Sequence, residues 1–447
     1  MKKNYLLGMA LMASLSFNSC DKEVVYVQDG TGVESVADGA QIITLQVENG
    51  GDGLATRAGR PLYSAEAKQT IENVKLWICD GAGNVIKYVK EISDWNTDDV
   101  STVYTTGGHG RQTTIELKGA DKLAAGTYKI YAVGYSNSSA YTLTDVTNVA
   151  KESTFNENMV LPCSTVGEEI FAGQMELTVE KGKGFKKPVV LNRQVAGAFA
   201  YVKDIPFMEG AKYLKLVASA QNQSLVLGNF NSFDLTGNGS GNANVKYVVN
   251  GTNGKSGSET YVISTIDLNK WFTAIKDDNG DNLIDAGENW KNPCRPSSSP
   301  AAGTYPTFQK GSAFGGEFVI PFAHVDGKQT LTLQLTNAGG KVLRSWKVNL
   351  GSTDEQLKQT ITCWNSGSTD WSTSLSGELA NTYSLVRNHL YGIGTRMNDE
   401  ANPEKPGVDP DPNPENPNDK PESLNNKQEL VLKVNDNWEV IHGMELD

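Results

Sequence analysis

The chain has 447 residues, 38% hydrophobic, 21% charged and 8% aromatic, a globular composition that excludes a disordered, collagen-like or polytopic membrane protein. Two or three domains fit that length, each large enough to bury a core. The formal net charge of -12 repels polyanions and argues against a nucleic-acid partner. Four scattered histidines, His109, His324, His389 and His442, argue against a histidine metal centre or triad.

Residues 1–19 read as a signal peptide. Lys2 and Lys3 precede the apolar run Leu6–Ala13, which is too short to span a bilayer core of ~30 Å. Cys20 follows Ser19 and looks like a bacterial lipoprotein cleavage site, with Cys20 the acylated, palmitate-bearing first residue. The alternative is a plain secretory peptide with an incidental cysteine. Asp21-Lys22-Glu23 resembles the charged surface-export signal of Bacteroidetes lipoproteins. Outside the cytoplasm the remaining Cys79, Cys163, Cys294 and Cys363 allow two disulfides by any of three connectivities. Their wide spacing disfavours zinc, and Cys79, ending an apolar strand, reads equally well as a buried thiol.

Gln41–Glu48 alternates, with Ile43, Leu45 and Val47 on one face of a half-buried strand. A Gly-rich loop follows, in which the Arg57–Ala58 bond is open to a trypsin-like protease; Arg60 is shielded by Pro61. Val74–Ile78 and Val85–Val89 form a hairpin through Asp80–Asn84. Gly126–Tyr135 and Met175–Val179 complete a first strand set, and Gly182–Pro188 marks a boundary, giving domains 58–187 and 188–400. The second set comprises Val195–Val202, Tyr213–Ala218, Tyr261–Ser264, Glu317–Ile320, Thr330–Leu335, Val342–Asn349 and Ser384–Ile393. Two sets of short strands predict an all-β protein of two β-sandwich domains.

Residues 401–423 hold seven of the 16 prolines and read as a stiff, solvated spacer. The tail 424–447 then alternates, with Leu430, Leu432, Val434, Trp438 and Val440 on one face and Val431 the apolar exception on the other. Such a strand either folds back on its own second domain or is donated to a neighbouring subunit. Cutting after Arg57 would free the segment 20–57, with its strand Gln41–Glu48, and open an acceptor groove. Donation into that groove is a head-to-tail contact that does not close, hence a fibre.

This combination resembles the Bacteroidales fimbrillins, the fimbrium subunits built as type V pilins. The residues carrying the resemblance are Cys20, Ala55–Ala58, Gly126–Val133, Leu191–Ala196, Arg387–Tyr391 and Asn437–Val440 with Glu445-Leu446. The resemblance implies two transthyretin-like β-sandwich domains, export as an outer membrane lipoprotein precursor, and arginine-specific proteolysis at Arg57–Ala58. It further implies polymerisation by donor-strand exchange into a cell-surface fimbria supporting adhesion. The partners so implied are other copies or related fimbrial subunits and a trypsin-like protease.

One acidic stretch fits a calcium-loop register: Asp277, Asn279, Asp281, the Leu283 carbonyl, Asp285 and Glu288 would supply oxygen at positions 1, 3, 5, 7, 9 and 12. Ile284 is its apolar anchor, Asn282 replaces the usual Gly, and Leu268–Ile275 would be the entering helix of half an EF-hand. The other reading is a solvated acidic turn. The segment Gly251–Ser256 lacks the first Gly of a phosphate loop, and no Ser lies in a GxSxG context, so the chain is not expected to be an enzyme; no cofactor is required, and a structural calcium ion is the one candidate. The rival function is a lipid-anchored surface protein, either glycan-binding, with Trp271, Trp290, Trp364, Trp371 and Trp438 as a sugar platform, or a fimbrial anchor.

Overall fold

The computed structural model describes residues 39–48, 71–104, 110–164, 167–228, 247–284, 289–293, 308–325, 331–350, 361–374, 382–396, 419–425 and 429–435. The fold is all-β. Its first part holds β1 Gln41–Glu48, β2 Asn73–Asp80, β3 Ile86–Ile92, β4 Thr102–Tyr104 and β5 Gly110–Leu117. β6 Gly126–Tyr135, β7 Val160–Pro162, β8 Phe171–Val179 and β9 Phe185–Arg193 follow, with the one-turn helix α1 Thr144–Thr147 before β7. The second part opens with β10 Ala196–Lys203, β11 Ala211–Gln221, β12 Ser224–Val226, β13 Tyr247–Val249, β14 Gly251–Thr252 and β15 Lys255–Asp267. After the one-turn helix α2 Leu268–Trp271 come β16 Ala313–Val319, β17 Phe322–Val325, β18 Leu331–Asn337 and β19 Val342–Leu350. The remaining strands are β20 Ile361–Asn365, β21 Asp370–Ser374, β22 Thr382–Leu385, β23 Leu390–Ile393, β24 Thr395–Arg396, β25 Asp419–Lys420, β26 Glu422–Ser423 and β27 Glu429–Asn435.

The first sandwich runs β3-β2-β6-β8-β9-β1-β5-β4, the two layers joined where the ends of β8 and β9 pair at Phe171–Arg193 and Ala172–Asn192. Its core gathers Ile43, Leu45, Val47, Val74, Leu76, Ile78, Leu117, Ile130 and Leu191, the alternate positions of each strand. The β2–β3 turn forms because the Asp80 carboxylate accepts from the amides of Gly83 (2.8 Å) and Val85 (3.3 Å), while Asn84 takes the left-handed φ of 54° that Asn tolerates. β2 is buried on both faces, because Trp77 and Cys79 enter a second cluster with Tyr131, Phe155, Leu161 and Leu225. The boundary expected at 187/188 lies later: β9 runs through it and pairs in parallel with β1 from Gln41–Phe185 to Val47–Leu191.

The second sandwich runs β15-β11-β18-β19-β27-β23-β10-β16. The segment Ser384–Ile393, read as one strand, is two, because the chain turns between Val386 and His389 with Asn388 at φ 57°. At the end of β9, Arg193 and Glu169 form a buried ion pair, the Arg193 Nε donating to Glu169 Oε1 at 2.8 Å. Arg387, 1% exposed, donates to Gln194 Oε1 (3.1 Å) and the Gly228 carbonyl (2.8 Å); Asn250 donates to the Gln194 carbonyl (3.1 Å). The stretches Leu191–Ala196 and Arg387–Tyr391 thus build the junction. His389 belongs to it, its Nδ1 2.9 Å from the Arg387 carbonyl.

Candidate functional site

β1 is an interior strand of the first sandwich, with a neighbour on each side. It pairs antiparallel with β5 over eight residue pairs and parallel with β9 over seven. Ile43, Leu45 and Val47 are fully buried, and Gln41 and Thr44 are buried as well, so the strand is covered far more than the half-buried pattern suggested. Gln41 is fixed at the entrance by a two-way bond with Leu123, its Nε2 donating to the carbonyl (2.9 Å) and its Oε1 accepting from the amide (2.7 Å). Withdrawing β1 would leave a slot of eight residues, about 27 Å at ~3.4 Å per residue, between two unpaired strand edges above Ile115, Leu117, Phe185, Val189 and Leu191. Sequence alternation located the strand but gave no sign that it has neighbours on both sides. Cys20, Arg57 and Ala58 lie outside the described residues.

The tail does not stand alone over its first part. β27 pairs parallel with β19 from Lys347–Glu429 to Leu350–Leu432, then antiparallel with β23 through Lys433, Val434 and Asn435. It passes from one layer to the other and closes the second sandwich. Leu430 is 2% exposed and Val431 43%, as the alternation requires. Of the two readings of the tail, folding back on the second domain is the one observed for Glu429–Asn435, which Leu430 roots in the second core. Leu432 and Val434 sit in register with Leu350 and Tyr391; Trp438 and Val440 lie outside the described residues. Just upstream, Leu424 is fully buried and its amide donates to the Lys203 carbonyl at 2.9 Å.

In the acidic loop the carboxylates are held by the loop's own amides. Asp277 accepts from Gly280 N (2.7 Å) and Asn282 N (3.0 Å), Asn279 from Asp281 N (3.0 Å), and Asp281 from Leu283 N (2.8 Å). Asn282 adopts φ 63°, the left-handed backbone that its place in the register requires. Ile284 is buried and its amide donates to the Ile205 carbonyl at 2.7 Å, which anchors the loop on the second core. The Leu283 carbonyl belongs to a residue bridged to Pro206; Asp285 and Glu288 lie outside the described residues. The entering helix is shorter than expected: α2 ends at Trp271, whose indole turns into the core, and Phe272 bridges to Trp290. Half an EF-hand is therefore not formed on that side. Among the described residues no three His, Cys, Asp or Glu side chains converge as metal ligands.

The tryptophans do not make one platform. Trp271 is fully buried, Trp290 donates to the Ser312 carbonyl (2.7 Å), and Trp364 and Trp371 stack edge-on across the β20–β21 hairpin at 5.3 Å. Trp371 also donates to Asn158 Oδ1 (2.9 Å), which ties the hairpin to the first domain. Trp438 lies outside the described residues. Cys79 is a fully buried free thiol, pushed up to about 12, chiefly by burial and then by Asp80; Cys294 lies outside the described residues. No helix among the described residues is long and apolar enough to cross a membrane.

No protein-family model matches the sequence, and no curated protein matches it. Similar solved structures include fimbrial proteins. A fimbrial assembly protein from Parabacteroides distasonis is 12% identical over 79% of this chain and 91% of its own, at TM-score 0.33. The tip fimbrial protein Mfa3 from Porphyromonas gingivalis is 10% identical over 79% and 93%, at TM-score 0.35. The fimbrial anchor protein Mfa2 from the same organism is 9% identical over 78% and 99%, at TM-score 0.30.

Proposed function

We propose that the chain is a structural subunit of a surface fimbria that supports adhesion and is not an enzyme. Cys20 carries the lipid of the exported precursor, an arginine-specific protease cuts between Arg57 and Ala58, and subunits join by strand exchange. The observation that carries this reading is β1 itself: it lies inside the first sandwich, with Ile43, Leu45 and Val47 fully buried, yet Arg57 stands between it and the remainder of the sandwich in the chain. One cut makes that core strand a separable peptide.

The incoming strand is the part of the tail beyond β27. Residues 436–447 number twelve and reach about 40 Å when extended, enough to leave the second sandwich and fill a slot eight residues long. Trp438 and Val440 repeat the two-residue spacing of Ile43, Leu45 and Val47, and Met444 falls on the same face beyond His442. β27 holds the tail to its own subunit, so each joint is anchored on one side and inserted on the other. The acidic loop Asp277–Glu288 is proposed to take a structural calcium ion, with Asp285 and Glu288 completing the set that Asp277, Asn279 and Asp281 begin.

The variant Arg57→Ala tests the reading: it should be exported and folded but fail to form fibres. Fibres assembling normally from it would refute the proposal.

A further inference from the structure

One surface is out of keeping with an acidic chain. Where β1 begins, Gly39 and Ala40 are surrounded by turns that carry lysines. Lys122 Nζ donates to the Gly39 carbonyl at 3.1 Å, and the Phe185 amide donates to the Ala40 carbonyl at 2.8 Å. Gln41 is opposite both Leu117 and Phe185, so Lys118 and Lys186 each lie one residue from that entrance, and the β8–β9 turn brings Lys181 and Lys183 beside them. Lys118, Lys122, Lys181 and Lys183 are exposed and Lys186 is half-buried.

The acids on this rim are Glu116, Asp121 and Glu180. Glu116 pairs with Lys118 at 3.0 Å and Glu180 with Lys183 at 2.5 Å. Both are solvent-exposed pairs, and such pairs are weak. Lysines outnumber carboxylates, and the rim is positive on a chain of net charge -12.

We propose that this lysine rim is the docking surface for the acidic tail of a second copy of the chain, engaged as that tail enters the β1 slot. The inference rests on the strand-exchange reading above. Residues 436–447 contain Asp436, Glu439, Glu445 and Asp447 and no Lys or Arg. The acids lie toward both ends, so a carboxylate pair reaches the rim whichever way the strand runs. Two copies of an acidic chain repel each other, and a local positive rim at the acceptor mouth selects the productive orientation. In the sequence the segment that leads into this entrance is acidic: residues 20–38 carry five acids and one lysine, and Asp38 directly precedes Gly39. Cutting after Arg57 breaks the covalent hold of that segment, and the tail of the next copy brings an equivalent charge in its place.

The test uses a labelled peptide of residues 436–447 and an acceptor cut at Arg57 and ending at Asn435. Binding is followed by stopped flow at about 50 and 300 mM salt, against the same acceptor carrying Lys118→Gln, Lys122→Gln, Lys181→Gln and Lys183→Gln. The association rate should fall on the order of tenfold in the variant and lose most of its salt dependence, with the dissociation rate changing far less and the melting temperature retained. Equal association rates for the two acceptors, or rates insensitive to salt in both, would overturn the rim. A peptide that binds neither acceptor would overturn strand exchange by this tail and the rim with it.

Discussion

Leu45→Ala probes β1 at its centre. Leu45 is fully buried, opposite Thr113 of β5 and Val189 of β9, and truncating such a leucine costs about 2–5 kcal/mol in lost transfer and residual cavity. In the uncut chain this appears as lower stability of the first sandwich. After cleavage at Arg57 the same energy weakens the hold on the released peptide, and at ~1.36 kcal/mol per decade its dissociation constant rises roughly 30- to 5000-fold. The assay is to nick wild-type and variant chains, follow release of the 20–57 fragment by gel filtration and mass spectrometry, and record the lag before fibres form. The variant should release the fragment faster and polymerise with a shorter lag. A variant that melts earlier yet releases its fragment and polymerises at the wild-type rate would show that β1 is not the strand that is exchanged.

Truncation after Asn435 should leave the melting temperature within a few degrees of wild type and abolish fibres, whereas truncation after Ser423 also removes β27 and should unfold the second sandwich, as circular dichroism would register. Glu169→Ala leaves Arg193 buried without its carboxylate and should cost about 3–5 kcal/mol in urea unfolding. Cys79 should resist maleimide at pH 8 in the folded chain and react on unfolding. Because its folded pKa is raised from 9.0 to about 12, the neutral thiol is favoured in the fold, and stability should fall as pH rises from about 9 toward 12, a loss smaller in Cys79→Ala, where only the buried tyrosines still contribute to it. If the acidic loop takes calcium, excess chelator should lower the melting temperature of wild type but not of Asp277→Asn.

Much of the fold was legible because its strands obey the period of two. Gln41–Glu48 and Gly126–Tyr135 were bounded to the residue, since each begins at a Gly- or Ala-bearing turn; the apolar residues of the first face one core, and those of the second alternate between two. The domain boundary was not legible. Gly182 and Gly184 mark a tight turn, but the turn joins two strands of one domain, and pairing between β1 and β9, some 140 residues apart in sequence, leaves no local trace. The same reason hid the place of β27: alternation at Leu430 gives a buried face without naming the sheet that buries it. The acidic loop was legible in its turn chemistry, because Asp277, Asn279 and Asp281 bond the amides that follow them. The one-turn length of α2 was not, since the burial of Trp271 and Phe272 ends the helix. The lysine rim gathers from two turns more than 50 residues apart and becomes a patch only when β1 lies between them.

The most direct measurement is the N-terminal residue and intact mass of the protein sheared from the cell surface as fibres. The account predicts a chain that starts at Ala58 and carries no lipid, with the strand Gln41–Glu48 gone from every joined subunit. Fibres whose subunits begin at an acylated Cys20 would contradict it, because β1 would then still be covalently in place and the slot would never have opened.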